Sequence, residues 1–356
     1  MIINRLVLRN FRNFSDVEFD FYKSGALISG ENGTGKTNLL EAISFFAFGK
    51  SFRNCHDTDL INFSSDHLHI RGEFVKNEHI LQFESGIEKN RKKISLNGSR
   101  INRTSNLYKF IKTVYFSPED VEFLSGAPVF RRNFLDQALS QYSFSYLELL
   151  RRYSHILKQR NILLKTEYEN AIKKSWDKQL INYGSKLIDC RLKYLDSFIP
   201  RLQKNYQCIS ANRENLSLKY RYSFPRRESE SLSSDLEEYL EEIAGQEKET
   251  GHTLAGPHLD DLQFEIDNHP VRSFASQGQK RSTAISARLV QAEMIRVKDS
   301  ETPILMFDDV LADLDKIRTR NIIKLLHSDH QIFIASPNAA IYKDFKLKEI
   351  KLELLP

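Results

Sequence analysis

Residues 26–37 carry the densest chemistry in the chain: Ala-Leu-Ile-Ser-Gly-Glu-Asn-Gly-Thr-Gly-Lys-Thr is an apolar run that breaks into a glycine-rich turn ending in Lys36 and Thr37. Gly30, four residues, then Gly35-Lys36-Thr37 fills the P-loop pattern, and the composition of 38–48 is that of a helix. Glycine is needed because backbone N–H groups must converge on an anion with no Cβ in the way, and a helix N-terminus adds partial positive charge. Gly30, Glu31, Asn32, Gly33, Thr34, Gly35, Lys36 and Thr37 are therefore the candidate ATP-binding residues. Lys36 supplies a point charge facing the phosphates, and the Thr37 hydroxyl is a Mg²⁺ ligand. The plainer alternative is an ordinary glycine-rich turn, which the correct strand and helix flanks disfavour.

A second half of such a site is visible far downstream. Ile304-Leu305-Met306-Phe307 reads as a buried strand ending in Asp308-Asp309. A cation held by Thr37 needs an anionic partner at a strand end, which is Asp308, while Asp309 can orient or activate the attacking water. Between the two halves, Ser276-Gln277-Gly278-Gln279-Lys280-Arg281 opens a helix. Its hydroxyl, glycine backbone and helix N-terminus make another anion-binding surface, unless Ser276 merely caps the helix. A chain with a complete cradle at 30–37 has best use for a second one on a partner's nucleotide, so ATP with Mg²⁺ is expected to favour a two-fold homodimer.

Ser-x-Gly-Gln before a helix, then Asp308-Asp309, then Ala312-Asp313-Leu314-Asp315, resembles the signature motif, Walker B and D-loop of the ABC ATPase superfamily. Within it, Leu8-Arg9-Asn10-Phe11-Arg12-Asn13, Phe116-Ser117-Pro118-Glu119-Asp120, Arg131-Arg132-Asn133-Phe134-Leu135-Asp136 and Gly256-Pro257-His258-Leu259-Asp260-Asp261 are similar, in order and spacing, to hallmark segments of the RecF family. The resemblance covers essentially the whole chain. It implies an ATPase of bacterial recombinational repair and replication that dimerises on ATP and binds DNA at gaps. It also implies work with RecR and RecO to load RecA onto SSB-coated single strands, in support of the SOS response. By resemblance, Lys36, Thr37, Asp308 and Asp309 form the site in one subunit and Ser276, Gly278 and Gln279 close it from the other. Arg12 is then a further phosphate contact and Asp313 the D-loop residue. The chain departs from the family pattern at Leu259, where Arg is usual, and at Ala312-Asp313, where Ser-Glu is usual. No glutamine lies in 116–119 for a Q-loop, and no switch histidine stands near Ala335-Ser336; slow hydrolysis would follow.

The elements that must position these residues can be read from periodicity. Leu6, Leu8, Val17, Phe19 and Phe21 alternate as strands, 68–75, 79–83 and 93–101 continue the pattern, and Asn97-Gly98 is a hairpin turn. After Pro128 the step changes to helical, with Leu135, Leu139, Tyr142, Tyr146, Leu149, Tyr153 and Ile156, then Trp176, Leu180, Tyr183, Leu187, Cys190 and Tyr194. Two long helices in an antiparallel hairpin are expected; at roughly 35 residues each would reach only about 50 Å, a compact arm. Beyond Gly251 the α/β signals return. The expected fold is α/β: an ABC-type P-loop ATPase head with a mixed β-sheet, split by a helical insertion lobe. The expected domains are 1–117 with 250–356 for the head and 118–249 for the lobe.

Charge points to a partner. The 356 residues carry a net charge of +5, but 131–204 holds 15 Lys/Arg against 7 Asp/Glu, and 226–249 holds 3 against 9. Lys89, Arg91, Lys92, Lys93, Arg100 and Arg103 form a cluster with no acid inside it. Both basic regions are candidates to follow a DNA backbone, or equally to be solvated faces. Cys55, Cys190 and Cys208 lack metal-ligand spacing and read as reduced structural thiols, and the chain reads as cytoplasmic with no membrane partner. Three rivals are weaker. A transporter ATPase subunit has a shorter stretch between P-loop and signature, an SMC-like protein has far longer arms, and a small-molecule kinase needs no Ser-Gln-Gly-Gln helix.

Overall fold

The computed structural model describes residues 1–353 apart from 54, 90, 168, 228–230, 312, 313, 327, 328, 340, 341, 343 and 344. In chain order the first elements are β1 (Ile2–Phe11), β2 (Phe14–Asp20), β3 (Gly25–Ser29), α1 (Lys36–Phe48), β4 (His67–Lys76), β5 (His79–Glu88), β6 (Arg91–Leu96), β7 (Ser99–Arg100) and β8 (Thr113–Phe116). There follow α2 (Val121–Ser125), α3 (Pro128–Tyr142), α4 (Phe144–Leu163), α5 (Asn170–Ser210), β9 (Leu216–Arg221), α6 (Leu232–Glu242) and α7 (Ala244–Thr250). The chain then forms β10 (Asp261–Ile266), β11 (His269–Pro270), α8 (Val271–Phe274), α9 (Gln277–Asp299), β12 (Ile304–Asp308), α10 (Lys316–Leu325), β13 (Ile332–Ser336) and β14 (Lys348–Lys351). The whole divides into two compact units, one of Met1–Asp120, Cys208–Ala211 and Arg281–Pro356, the other of Val121–Gln207 and Asn212–Lys280.

In the first unit, antiparallel and parallel strands occupy separate sheets. The antiparallel sheet has the order β2-β1-β4-β5-β6-β7 and the parallel one β14-β3-β13-β12-β8. The alternating residues of β1 and β4 put Leu6, Leu8, Leu68, Ile70 and Phe74 into one core with α1 and with Ala26, Ile28, Ile304, Met306 and Phe333 of the parallel sheet. Helix α1 is buried on nearly every side, so its apolar residues read as a continuous run and not as a stripe. The other face of the parallel sheet packs Leu27, Leu305, Phe307 and Ile334 against Ile285, Leu289 and Ile295 of α9 and Ile322 of α10. Strands covered on both faces are continuous apolar runs for that reason.

In the second unit α5 runs antiparallel to α3 and α4: Tyr142 at the end of α3 packs on Tyr194, Arg191 reaches Tyr146, and Arg160 reaches Asp177. The hairpin expected from the helical periodicity is present. Its first limb, however, is two helices, broken at an extended Ser143 whose side chain caps α4 by accepting from the Tyr146 N–H at 3.4 Å. The second limb is longer than expected, 41 residues or about 60 Å. The second unit extends to Lys280, and within it β10 pairs with β9 in a three-stranded sheet, β11-β10-β9. Among the described residues, no helix is long and apolar enough to cross a membrane, and all three cysteines are free.

Candidate nucleotide-binding site

The cradle is built by the passage from β3 into α1. Gly35 sits at φ +100°, a conformation strained for any other residue, and a Cβ there would come within 2.5 Å of the Asn13 carboxamide and displace it. Asn13 arrives through the two-residue turn that joins β1 to β2. It donates to the Thr34 carbonyl (3.0 Å) and accepts from Asn38 (2.8 Å), which in turn accepts from Arg53 (3.1 Å). The loop is thereby braced from behind. Among the described residues no side chain caps α1, so its first N–H groups stay available to an anion. The Lys36 ammonium donates to the Gly30 and Glu31 carbonyls at 2.9 and 2.7 Å. Burial lowers its pKa, and the charges of Asp309 and Asp308 oppose that shift.

Strand β12 lies between β13 and β8, parallel to both, and delivers Asp308 at its C-terminal end, where ligands of open parallel sheets bind. The Thr37 hydroxyl donates to Asp308 Oδ1 at 3.0 Å across 271 residues of sequence, and the Tyr115 hydroxyl donates to Asp308 Oδ2 at 2.7 Å. Asp309 turns out of the strand at φ +52°. Its N–H bonds the Ala335 carbonyl at 2.9 Å, and its carboxylate accepts from the Ser336 hydroxyl at 3.1 Å. A threonine hydroxyl and a carboxylate are hard oxygen donors, and this set fits Mg²⁺.

The remaining candidates fall in three places. Arg12 serves the protein interior: its guanidinium holds the fully buried Glu41 through two bonds of 2.9 Å, with further bonds to the Asp59 carbonyl and Cys55. A carboxylate removed from water requires such a partner, and in this arrangement the guanidinium is committed to it. Ser276 and Gln279 form a reciprocal cap, Gln279 N–H to Ser276 Oγ (3.2 Å) and Ser276 N–H to Gln279 Oε1 (2.7 Å), with Gly278 in the first turn of α9. They belong to the second unit, whereas Lys36, Thr37 and Asp308 belong to the first. Asp313 and Ala312 lie outside the described residues.

The basic cluster at 89–103 separates by strand parity. Lys89, Arg91, Lys93, Arg100 and Arg103 are exposed, but Lys92 lies on the inner face with Ile94, its ammonium 2.8 Å from Asp57 and over the Phe45 ring. Lys92 is therefore removed from the DNA-contact candidates. The excess of base in 131–204 also shrinks, because Arg131, Arg160 and Arg191 are buried in bonds to Asp261, Glu247 and Asp136.

Sequence reasoning missed Asn13, Asn38, Arg53, Tyr115 and Ser336 as members of this neighbourhood. Asn13 and Asn38 sit beside residues already singled out, and polar side chains flanking a P-loop were an available signal. Tyr115 and Ser336 reach the site only through the order of parallel strands, which no local pattern encodes.

With this geometry in hand, comparisons with known proteins are informative. Residues 2–351 match the family model described as the RecF/RecN/SMC N terminal domain. A DNA replication and repair protein RecF of Bacillus thuringiensis (strain Al Hakam) is 36% identical over 359 residues, covering 99% of this chain and 96% of that protein. A structure described as the recombination mediator protein RecF-ATP in the RecFOR pathway superposes with a TM-score of 0.88 at 30% identity, over 95% of this chain and 92% of that one. An Smc head bound to the C-winged helix domain of ScpA has a TM-score of 0.57 at 16% identity, over 96% of this chain and 92% of that one, and shows the fold alone.

Proposed function

This chain belongs to the RecF family, and from that premise we propose that it is an ATP-dependent DNA-binding protein of recombinational repair and replication. The observation that carries the reading is the 3.0 Å bond between Thr37 and Asp308, which joins the phosphate cradle and the carboxylate strand into one site beside an uncapped helix N-terminus. ATP would enter this cradle, displacing the Lys36 ammonium from the loop carbonyls onto the phosphates. Thr37 and Asp308 would hold Mg²⁺, which when bound neutralises charge developing on the transferred phosphoryl group. Asp309, held by Ser336, would orient the attacking water. Without a histidine at that point, hydrolysis would be slow and would time the life of a complex.

The dimer completes the proposal. Ser276, Gly278 and Gln279 would meet the γ-phosphate bound by a second copy, so that ATP joins the first unit of one copy to the second unit of the other and hydrolysis releases them. The first unit would be the ATPase head and the second the insertion lobe. DNA at gaps, RecR and RecO are the proposed partners, with loading of RecA on SSB-coated strands and support of the SOS response as the outcome, in the cytoplasm.

Light scattering with and without ATP and Mg²⁺ tests the core of this. Wild type should dimerise only with both. Ser276→Arg should bind ATP nearly normally, remain monomeric and lose DNA-stimulated hydrolysis, whereas Lys36→Ala should lose nucleotide binding itself. A Ser276→Arg protein that dimerises with ATP would return that segment to the role of a simple helix cap.

A further inference from the structure

We infer that Tyr115 is a positioning residue for divalent-cation binding, acting by fixing the carboxylate plane of Asp308. The inference rests on the reading that Asp308 and Thr37 hold the cation, and extends it to a residue of a different strand.

The argument begins with lone pairs and protons. The Thr37 hydroxyl has one proton, and it spends it on Asp308 Oδ1 at 3.0 Å. Its own lone pairs are then left for a cation, which is the orientation a ligand hydroxyl needs. This holds only while Asp308 keeps Oδ1 turned toward Thr37. A terminal carboxylate torsion is soft, so something else must hold it. Tyr115 does so from the far oxygen: its O–H donates to Oδ2 at 2.7 Å, a charge-assisted bond at the short end of its class.

The phenol is itself held. Parallel register sets Tyr115 opposite Met306, two residues before Asp308 on the same face of the sheet, so its ring and the carboxylate rise side by side. Phe52, from the loop that follows α1, stacks on the ring at 3.9 Å and 26°. The next residue, Arg53, donates to Asn38 in the first turn of α1. Helix start, loop, phenol and carboxylate thus form one connected set. A phenol carries its proton at neutral pH, so Tyr115 has the hydrogen that this bond needs. A tyrosine present only to fill the core would need neither the hydroxyl nor its alignment on a carboxylate that already has a donor.

The test compares ATP affinity in Mg²⁺ with ATP affinity in EDTA, and follows Mn²⁺ uptake in the presence of ATP by loss of the free-ion paramagnetic signal. Tyr115→Phe keeps the ring and its stack on Phe52. It should raise the cation concentration at half-saturation about tenfold, with affinity in EDTA unchanged. Phe52→Leu, which keeps the hydroxyl but loosens its support, should give a smaller shift in the same direction. An unchanged midpoint in Tyr115→Phe, while Asp308→Ala abolishes the cation dependence, overturns the inference and leaves the site reading intact. If Asp308→Ala also leaves the dependence unchanged, both are overturned. An equal loss with and without cation would show general distortion of the site and likewise overturn the inference.

Discussion

Two regions of this molecule gather charge, and they use it in opposite ways. In the helical unit Arg131, Arg160 and Arg191 are buried and each is answered by a carboxylate: Asp261 at 2.7 Å, Glu247 at 2.6 Å and Asp136 at 2.8 Å. Arg160 has Thr253 and Asp177 as well, and Arg191 the Pro257 carbonyl. In the first unit, among the described residues, Lys36 bonds only loop carbonyls and α1 begins without a side-chain cap. A saturated network holds elements together and has nothing left to offer a ligand. A helix N-terminus that no described side chain caps, set among braced loops, can still accept an anion. Local charge excess alone does not separate the two, since 131–204 reads equally as a DNA surface or a solvated face, and three of its 15 basic residues, Arg131, Arg160 and Arg191, are neither.

The sharpest way to break this contrast is at Glu247, which like Arg160 is fully buried. Glu247→Ala leaves a guanidinium with an incomplete set of partners out of water, and should cost about 3–5 kcal/mol of stability. Urea unfolding would read this, with ATP affinity of the folded fraction unchanged. A loss below about 1 kcal/mol would mean that the network is not what holds the helical unit.

Proton linkage at His258 gives the next effect. Burial pushes this imidazole down to about 4, helped by the positive charges of Arg132, Arg160 and Arg191. It accepts from the Tyr153 hydroxyl at Nδ1 (2.7 Å) and faces the Thr253 carbonyl through Nε2 (3.2 Å), an arrangement for the neutral ring. The folded form therefore resists the proton that the unfolded chain takes up below about 6.5. Above that pH His258 costs nothing; as pH falls from 6.5 toward 4, stability should decline by about 3 kcal/mol in total. His258→Gln should remove that component of the pH profile. An identical slope in wild type and variant would show that other groups carry it.

The smallest effect separates neighbours on β6. Lys93→Glu should weaken DNA binding a few-fold and lower the steepness of its salt dependence by about 1 to 2. Lys92→Glu should act instead on stability, by placing a second carboxylate beside Asp57. Equal loss of DNA affinity in both variants would restore Lys92 to the binding face and undo the parity argument.

Much of this was legible beforehand because the signals are local. The P-loop, the strand before it and the helix after it follow from a contiguous stretch of sequence. So does the hairpin turn at Asn97-Gly98, where both residues take positive φ (49° and 78°). The break at Ser143 was hidden because the four- and three-residue step runs unbroken across it, while a serine able to cap competes with helix continuation at any point. The placement of 261–280 with the helical unit was hidden because an alternating strand looks the same whichever sheet it joins.

Amino-acid order by itself determined the family, the glycine-rich turn between β3 and α1, the carboxylate pair at the end of β12 and the serine-capped start of α9, since each of these three segments is a short motif whose backbone demands are met by its own residue types. Which charges meet was left to the tertiary structure. That Thr37 reaches Asp308 and Tyr115 steadies it depends on β8 and β12 lying side by side in one parallel sheet. That Arg12 turns to Glu41 and Lys92 to Asp57 depends on which carboxylates the fold buries within reach. Desolvation and distance set the strength of an electrostatic interaction, and both are properties of the assembled interior.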